Sequence, residues 1–363
     1  MIIAAAQPPT VASIVTRAVQ PLMQRYGIPG MAVGVVVNGR TYVLNYGVAS
    51  RATRAKVNAA TLFEIGSVSK TFTATLASYA QLTGRLSFAD MASADLPALR
   101  GSSFDRVSLL NLGTHTAGGL PLQVPDDVTD DAQLISYLRG WKPPYPPGTQ
   151  RLYSNVSIGL LGFITAARAN EDFIPLMQRT IFQPLGLQHT YLDVPAAQMA
   201  NYAQGYTSND APIRMKAGEL YAETYGVRTT AGDLTRWLQA NMAMLPLDAT
   251  LQRAITNTHA GYYRSGAMIQ DLIWEQYSNP VTLAQLEQGN AATMLLDAHR
   301  AIAIDPPRQP SGDVVLNKTG STYGFSTYVV FVPSKKIGVV LLANKSYPIA
   351  ARVSTAYQIL RRL

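Results

Sequence analysis

Two β-hairpin signals, one towards each end of the 363-residue sequence, constrain the fold more than any other feature. Residues 31–37 and 40–48 are rich in β-branched and aromatic side chains and are separated by Asn38-Gly39, the dipeptide that most favours a two-residue hairpin turn. Residues 325–332 and 337–343 form the second pair, with a turn around residues 333–336. Before the first hairpin, Ile14, Val15, Ala18, Val19, Leu22 and Met23 recur at helical spacing and end at Gly27, which suits a C-cap. After the second, residues 350–363 read as an amphipathic helix. The expectation is an antiparallel sheet flanked by N- and C-terminal helices. The middle reads as mostly helical, with Pro- and Gly-rich loops at 142–148 and 192–218. This predicts an α+β fold, a sheet lobe of about 1–80 and 205–363 beside a helical lobe of about 81–204, with the site in the cleft between them.

Composition removes several chemistries. The chain has no Cys, which excludes disulfides, thiolate-bound zinc, iron–sulfur clusters and a thiol nucleophile. His115, His189, His259 and His299 lie far apart without ligand spacing, so neither a metal nor any other cofactor is expected. Nucleophile-elbow, Walker and dinucleotide glycine motifs are missing. No run approaches the ~18 apolar residues of a membrane span, so no membrane insertion is expected. Met1 to Ala6 lack a basic n-region and read as a plain tail, although Ala4-x-Ala6 also suits a signal-peptide cleavage site. The net charge of +8 is spread out, its longest basic runs being Lys335-Lys336 and Arg361-Arg362. That distribution argues against nucleic acid and for small anionic substrates.

Three short motifs carry chemistry. Lys70 is the one lysine of eight with a serine three residues before it, in Ser67-Val68-Ser69-Lys70. Apolar residues at 68, 72, 76 and 79 continue as a helical stripe, which sets Ser67 at a helix start and Lys70 one turn on. A serine hydroxyl needs a neighbouring base, and a lysine serves when burial or a second cation lowers its pKa. Tyr153-Ser154-Asn155 follows the proline-stiffened loop; a tyrosine near lysines can work as a phenolate base, and an asparagine can hold a substrate amide. Read blandly, the same residues are an Asn N-cap beside a half-buried Tyr. Lys318-Thr319-Gly320-Ser321 follows the β-rich run 314–317 and offers a cation and a hydroxyl to a carboxylate, with Gly320 allowing close approach. The amides of Ser67 and Ser321 could together form an oxyanion hole.

In this order the three motifs resemble those of the penicillin-recognising serine hydrolases, and closely those of class C (AmpC-type) β-lactamases. The resemblance extends through Phe63-Glu64-Ile65-Gly66-Ser67-Val68-Ser69-Lys70, His115-Thr116-Ala117-Gly118-Gly119-Leu120-Pro121-Leu122-Gln123, Tyr225-Gly226-Val227 and Leu342-Ala343-Asn344-Lys345-Ser346-Tyr347-Pro348. It implies hydrolysis of cephalosporins and penicillins through an acyl-enzyme on Ser67, conferring antibiotic resistance. Lys70 and Tyr153 would handle protons, Gln123 and Asn155 hold the acylamide side chain, and Lys318, Thr319 and Gly320 the carboxylate. Tyr225 would line the side-chain wall, and Ser346, Ile349 and Arg352 would complete the substrate contacts. The resemblance further implies a periplasmic monomer, exported by a signal peptide not fully contained here, acting on small β-lactams alone. The same machinery also fits a D-alanyl-D-alanine peptidase, an esterase, which tends to lack Lys-Thr-Gly, or an acylated β-lactam sensor. Glu275…Asn279 matches the Glu-x-x-x-Asn spacing of class A enzymes but lies too far downstream of Ser67, so Glu275 reads as a structural or rim residue. Ile349 departs from the class C pattern, which commonly carries a carboxylate-binding Asn at that place.

Overall fold

The computed structural model describes residues 10–363, so the reading of Met1 to Ala6 lies outside the described residues. The first hairpin forms as its turn residues require: α1 (Val11–Tyr26) leads into β1 (Gly30–Val37) and β2 (Arg40–Gly47). Asn38 and Gly39 both take positive φ, 51° and 73°, the pair that a type I′ turn demands. Thr10 caps α1 by accepting from the Ser13 amide, and Gly27 ends it in the left-handed region.

Five segments from the middle of the chain follow. They are α2 (Lys70–Leu82), α3 (Asn155–Ala169), α4 (Ala231–Asn241), β3 (Gly261–Ser265) and β4 (Met268–Gln270). After them come β5 (Glu275–Ser278), β6 (Ile302–Arg308), β7 (Val314–Ser321), β8 (Ser326–Val332), β9 (Ile337–Ala343) and α5 (Ile349–Leu360). The nine strands make one antiparallel sheet in the order β6-β3-β4-β5-β7-β8-β9-β1-β2.

The period-2 geometry of a strand divides its side chains between two cores. Met31, Val33, Val35 and Val37 of β1 join Tyr328, Val330, Leu341 and the buried stripes of α1 and α5. Ala32 and Val36 point the other way and join Val329, Phe331, Val340 and Leu342 against Leu234, Trp237 and Leu238 of α4. Every residue of β1 is therefore buried, and the strand reads as an unbroken apolar run. A third core gathers residues of the helical middle around Leu112, Leu138 and Leu160.

Two expectations need correction. The middle is not mainly helical up to the closing hairpin, because β3, β4, β5 and β6 add four strands to the sheet. Three of these are three to five residues long and rich in Tyr, Gln and Arg, while β6 has only Ile302-Ala303-Ile304 before Asp305, Pro306 and Pro307. Proline is tolerated there because β6 is the sheet edge. Lys318-Thr319-Gly320 does not follow the β-rich run but continues it. It lies within β7, paired residue for residue with Val329, Tyr328 and Thr327 of β8.

Candidate active site

Ser67 sits in a 3₁₀ turn, Gly66–Ser69, that runs directly into α2. Two glycines press this turn onto β7. A Cβ at Gly66, whose φ is 51°, would lie 2.5 Å from the Ser321 amide nitrogen, and one at Gly320 would strike the Ile65 carbonyl. Both positions need glycine, and their contact brings the segments carrying Ser67 and Ser321 together. The Val227 amide donates to Ser69 Oγ at 3.1 Å and the Ile65 amide to the Val227 carbonyl at 3.1 Å, fixing the turn from its other side. Below it Phe72 stacks on Trp237 with ring centroids 4.5 Å apart.

Lys70 is fully buried, and its Nζ donates to Ser67 Oγ at 2.9 Å and to the Thr224 carbonyl at 2.9 Å. Burial chiefly lowers its pKa to about 8; Lys318 acts in the same direction and Tyr153 against it. Tyr153 lies between cations: Lys70 Nζ is 5.4 Å, Lys318 Nζ 5.2 Å and the Arg151 guanidinium 5.9 Å from its ring centre. Burial alone would push the phenol up, but Lys318 and Lys70 outweigh it, and the net shift is downward. Its hydroxyl faces Ser67 and Lys70 without closing a hydrogen bond to either.

Ser154, not Asn155, caps α3, accepting from the Ser157 amide at 3.0 Å and donating to the Pro121 carbonyl at 2.6 Å. The cap sets Tyr153 and Asn155 on either side of the helix entry. Asn155 Oδ1 is buried with no protein partner among the described residues.

Glu275, read as a structural or rim residue, lies not at the rim but at the floor of the site. It is buried, 3.5 Å from Lys318 Nζ and 3.8 Å from Arg151, whose Nε donates to Gln270 Oε1 at 2.6 Å. This buried carboxylate offsets two of the three cations around Tyr153. Arg151 was missed from sequence, though it stands two residues before Tyr153 in an extended segment, where alternate side chains share a face. His115 was also missed as a site neighbour. Its ring lies 4.4 Å from that of Tyr153, and the Ser154 amide donates to its Nδ1 at 3.3 Å. Burial, then Arg151, Lys70 and Lys318, hold its pKa well below the usual range and keep it neutral.

Two cavities open from Ser67. The smaller, about 190 Å³, is lined by Lys318, Thr319, Gly320, Ser321 and Ile349 and also reaches Tyr153 and Glu275. The larger, about 870 Å³, lies between residues 123–129 and 213–225 and includes Tyr225. Gln123 and Asn155 line both. Ser346 and Arg352, read as substrate contacts, line neither. The Ser346 amide donates to the Tyr206 carbonyl at 2.9 Å. Arg352 is only 2% exposed and is spent on protein acceptors: Nη1 donates to the Gly320 carbonyl at 2.6 Å and Ser321 Oγ at 3.0 Å, and Nη2 to Ser326 Oγ at 3.0 Å and the Tyr347 carbonyl at 2.8 Å.

A family model described as Beta-lactamase matches residues 15–363. The chain belongs to the β-lactamase family. The β-lactamase of Lysobacter lactamgenus is 50% identical over 346 residues, covering 95% of this chain and 90% of its own length. Among solved structures, a class C β-lactamase in complex with cefoxitin is 49% identical with a TM-score of 0.95, covering 97% of this chain and 99% of its own. The D-alanine carboxypeptidase AmpC of Burkholderia cenocepacia is 55% identical with a TM-score of 0.94, at the same coverage of both chains. These neighbours make this family member a serine hydrolase of class C, as its motifs imply. Its mixed helix and antiparallel-sheet fold is theirs.

Proposed function

We propose that the chain hydrolyses the β-lactam amide of cephalosporins and penicillins through an acyl-enzyme on Ser67, with Lys70 and Tyr153 as the proton-handling pair. The observation that carries this reading is the buried Lys70, its pKa lowered to about 8, at 2.9 Å from the Ser67 hydroxyl. A base so placed takes the Ser67 proton as Oγ bonds to the amide carbon. The C–N bond then breaks, and the nitrogen leaves with a proton delivered through Tyr153. The Ser67 and Ser321 amides, brought close by the Gly66 and Gly320 contacts, hold the oxyanion. Water then gives one proton to Tyr153 as its oxygen bonds to the acyl carbon, the bond from that carbon to Ser67 Oγ breaks, and Oγ regains a proton through Lys70.

Lys318 and Thr319 receive the substrate carboxylate in the smaller cavity, with Ile349 as an apolar wall. Asn155, Gln123 and Tyr225 receive the acylamide side chain in the larger one. The reading places the enzyme in the bacterial periplasm as a monomer that confers β-lactam resistance, its sheet lobe of about 1–80 and 205–363 and helical lobe of about 81–204 facing each other across Ser67. No described helix is long and apolar enough to cross a membrane. The name of the Burkholderia neighbour supports a second reading, D-alanine carboxypeptidase activity through the same serine.

A chromogenic cephalosporin, followed for turnover and for a mass shift on Ser67, tests both. Turnover supports the lactamase. A persistent adduct together with D-alanine release from an acyl-D-Ala-D-Ala peptide supports the peptidase. No reaction with either sinks the acyl-transfer reading.

A further inference from the structure

The larger cavity carries both signs of charge without neutralising either. Its basic part is Arg214 and Lys216, and Lys216 is held on a fixed backbone: the preceding Met215 amide donates to the buried Glu64 Oε1 at 2.9 Å. Arg214 reinforces that anchor by stacking on Tyr202 at 4.2 Å and donating to the Ala203 carbonyl at 3.1 Å. Lys216 is thus tied to the strand that leads into Ser67, and its side chain is exposed.

The acidic part is Glu219 with Asp126, both lining the same cavity. Partial burial, then Asp131 and Asp130, push the Glu219 carboxyl up, which marks a locally negative field in a chain of net charge +8. None of Lys216, Asp126 and Glu219 forms an ion pair among the described residues. Nearer Ser67, Asn155 lines the same space, its Oδ1 buried with no protein partner among the described residues.

We propose that this cavity selects β-lactams whose acylamido side chain ends in an α-amino acid, its carboxylate drawn to Lys216 and its ammonium to Glu219 and Asp126. The proposal rests on the acyl-transfer reading above. It makes the distal part of the cavity a reader of charge as well as of bulk.

Three cephalosporins with one nucleus test it: the α-aminoadipyl, glutaryl and thienylacetyl derivatives, carrying a zwitterion, a carboxylate alone and no charge. Each kcat/KM is divided by that of the thienylacetyl compound for the same protein. Lys216→Ala should lower both the aminoadipyl and the glutaryl ratios by roughly three- to fivefold, the scale of an exposed charge pair. Glu219→Gln should lower the aminoadipyl ratio but not the glutaryl one. In the parent protein the aminoadipyl ratio should fall as salt rises from about 20 mM to about 0.5 M, since screening weakens exposed contacts. Ratios unmoved by both substitutions and by salt, with thienylacetyl turnover intact, would overturn the proposal. A parent protein inert towards all three overturns the acyl-transfer reading itself.

Discussion

Arg352 Nη1 donates to the Gly320 carbonyl at 2.6 Å, so a buried guanidinium on α5 holds from behind the strand whose front edge faces Ser67. Its five acceptors, on Gly320, Ser321, Thr327, Ser326 and Tyr347, are all neutral. Arg352→Ala would leave several of them buried and unpaired at about 1–3 kcal/mol each. The expected result is a fall in thermal midpoint together with a fall in kcat of tenfold or more, with KM for a small cephalosporin changed less. Arg352→Lys, which cannot reproduce the fork of donors, should restore little. A variant that loses stability but keeps parental kcat would separate Arg352 from the positioning of Ser321.

Under the proposed acyl-transfer mechanism, the Lys70–Tyr153 pair sets the pH dependence. Lys70 must shed its proton to accept one from Ser67, and its pKa is lowered to about 8, so the neutral form grows as pH rises through that value. The two groups titrate as a unit, because each shifts the other. Acylation rates should therefore climb with pH and pass their half-maximal value near pH 8. Tyr153→Phe should lower the maximum by 10²–10⁴-fold, the usual worth of acid–base assistance. An acylation rate flat between about pH 5 and 9 in stopped-flow measurements would exclude this pair as the base.

Glu223 offers a test away from the chemistry. It is buried beneath the site, its backbone carbonyl accepting from Thr73 Oγ1 at 2.7 Å, and burial pushes its carboxyl up to about 7. The native chain thus keeps a proton that the unfolded chain releases near pH 4.5. Below that pH both states are protonated and nothing is lost. As pH rises from there through 7, the unfolded chain sheds its proton first and stability drops. Glu223→Gln should raise stability at pH 8 by roughly 1–3 kcal/mol and leave it nearly unchanged at pH 4. Denaturant midpoints at the two pH values check the sign.

Ile349 lines the smaller cavity with Lys318 and Thr319 but donates no hydrogen bond. Ile349→Asn supplies one to a bound carboxylate or sulfate. Second-order acylation constants for a sulfated, avibactam-type inhibitor should rise by up to about tenfold, the equivalent of 1.4 kcal/mol, with cephalosporin turnover changed less. Equal constants in parent and variant would remove residue 349 from anion binding.

The sequence made the hairpins and the motif chemistry legible for local reasons. Asn38-Gly39 has one favoured backbone geometry, and β1, β8 and β9 are buried on both faces, so their apolar runs stand out. Ser67 and Lys70 share a turn, which made their meeting readable without tertiary information. The floor of the site was harder. Glu275, Arg151 and Lys318 become one cluster only through strand pairing, and β5, four residues with Gln and Ser, has no periodic signal of its own. Arg352 illustrates the opposite error. The family resemblance implied a substrate contact, whereas packing turns the guanidinium inward to carbonyl and hydroxyl acceptors.

The pairing of β1 with β9 has a consequence for how the protein comes into being. The Gly30 amide bonds to Asn344 Oδ1 across 314 residues at 2.8 Å, and Thr327 Oγ1 reaches the Glu64 carbonyl across 263. The turn bearing Ser67 therefore gains its opposing strand only after nearly all of the chain has been synthesised. A nascent or truncated polypeptide ending before residue 314 holds the serine and its lysine but has no β7 beside them. Covalent capture by a fluorescent penicillin would then report completion of the fold rather than presence of the nucleophile. In a synthesising ribosome population, the label marks finished molecules.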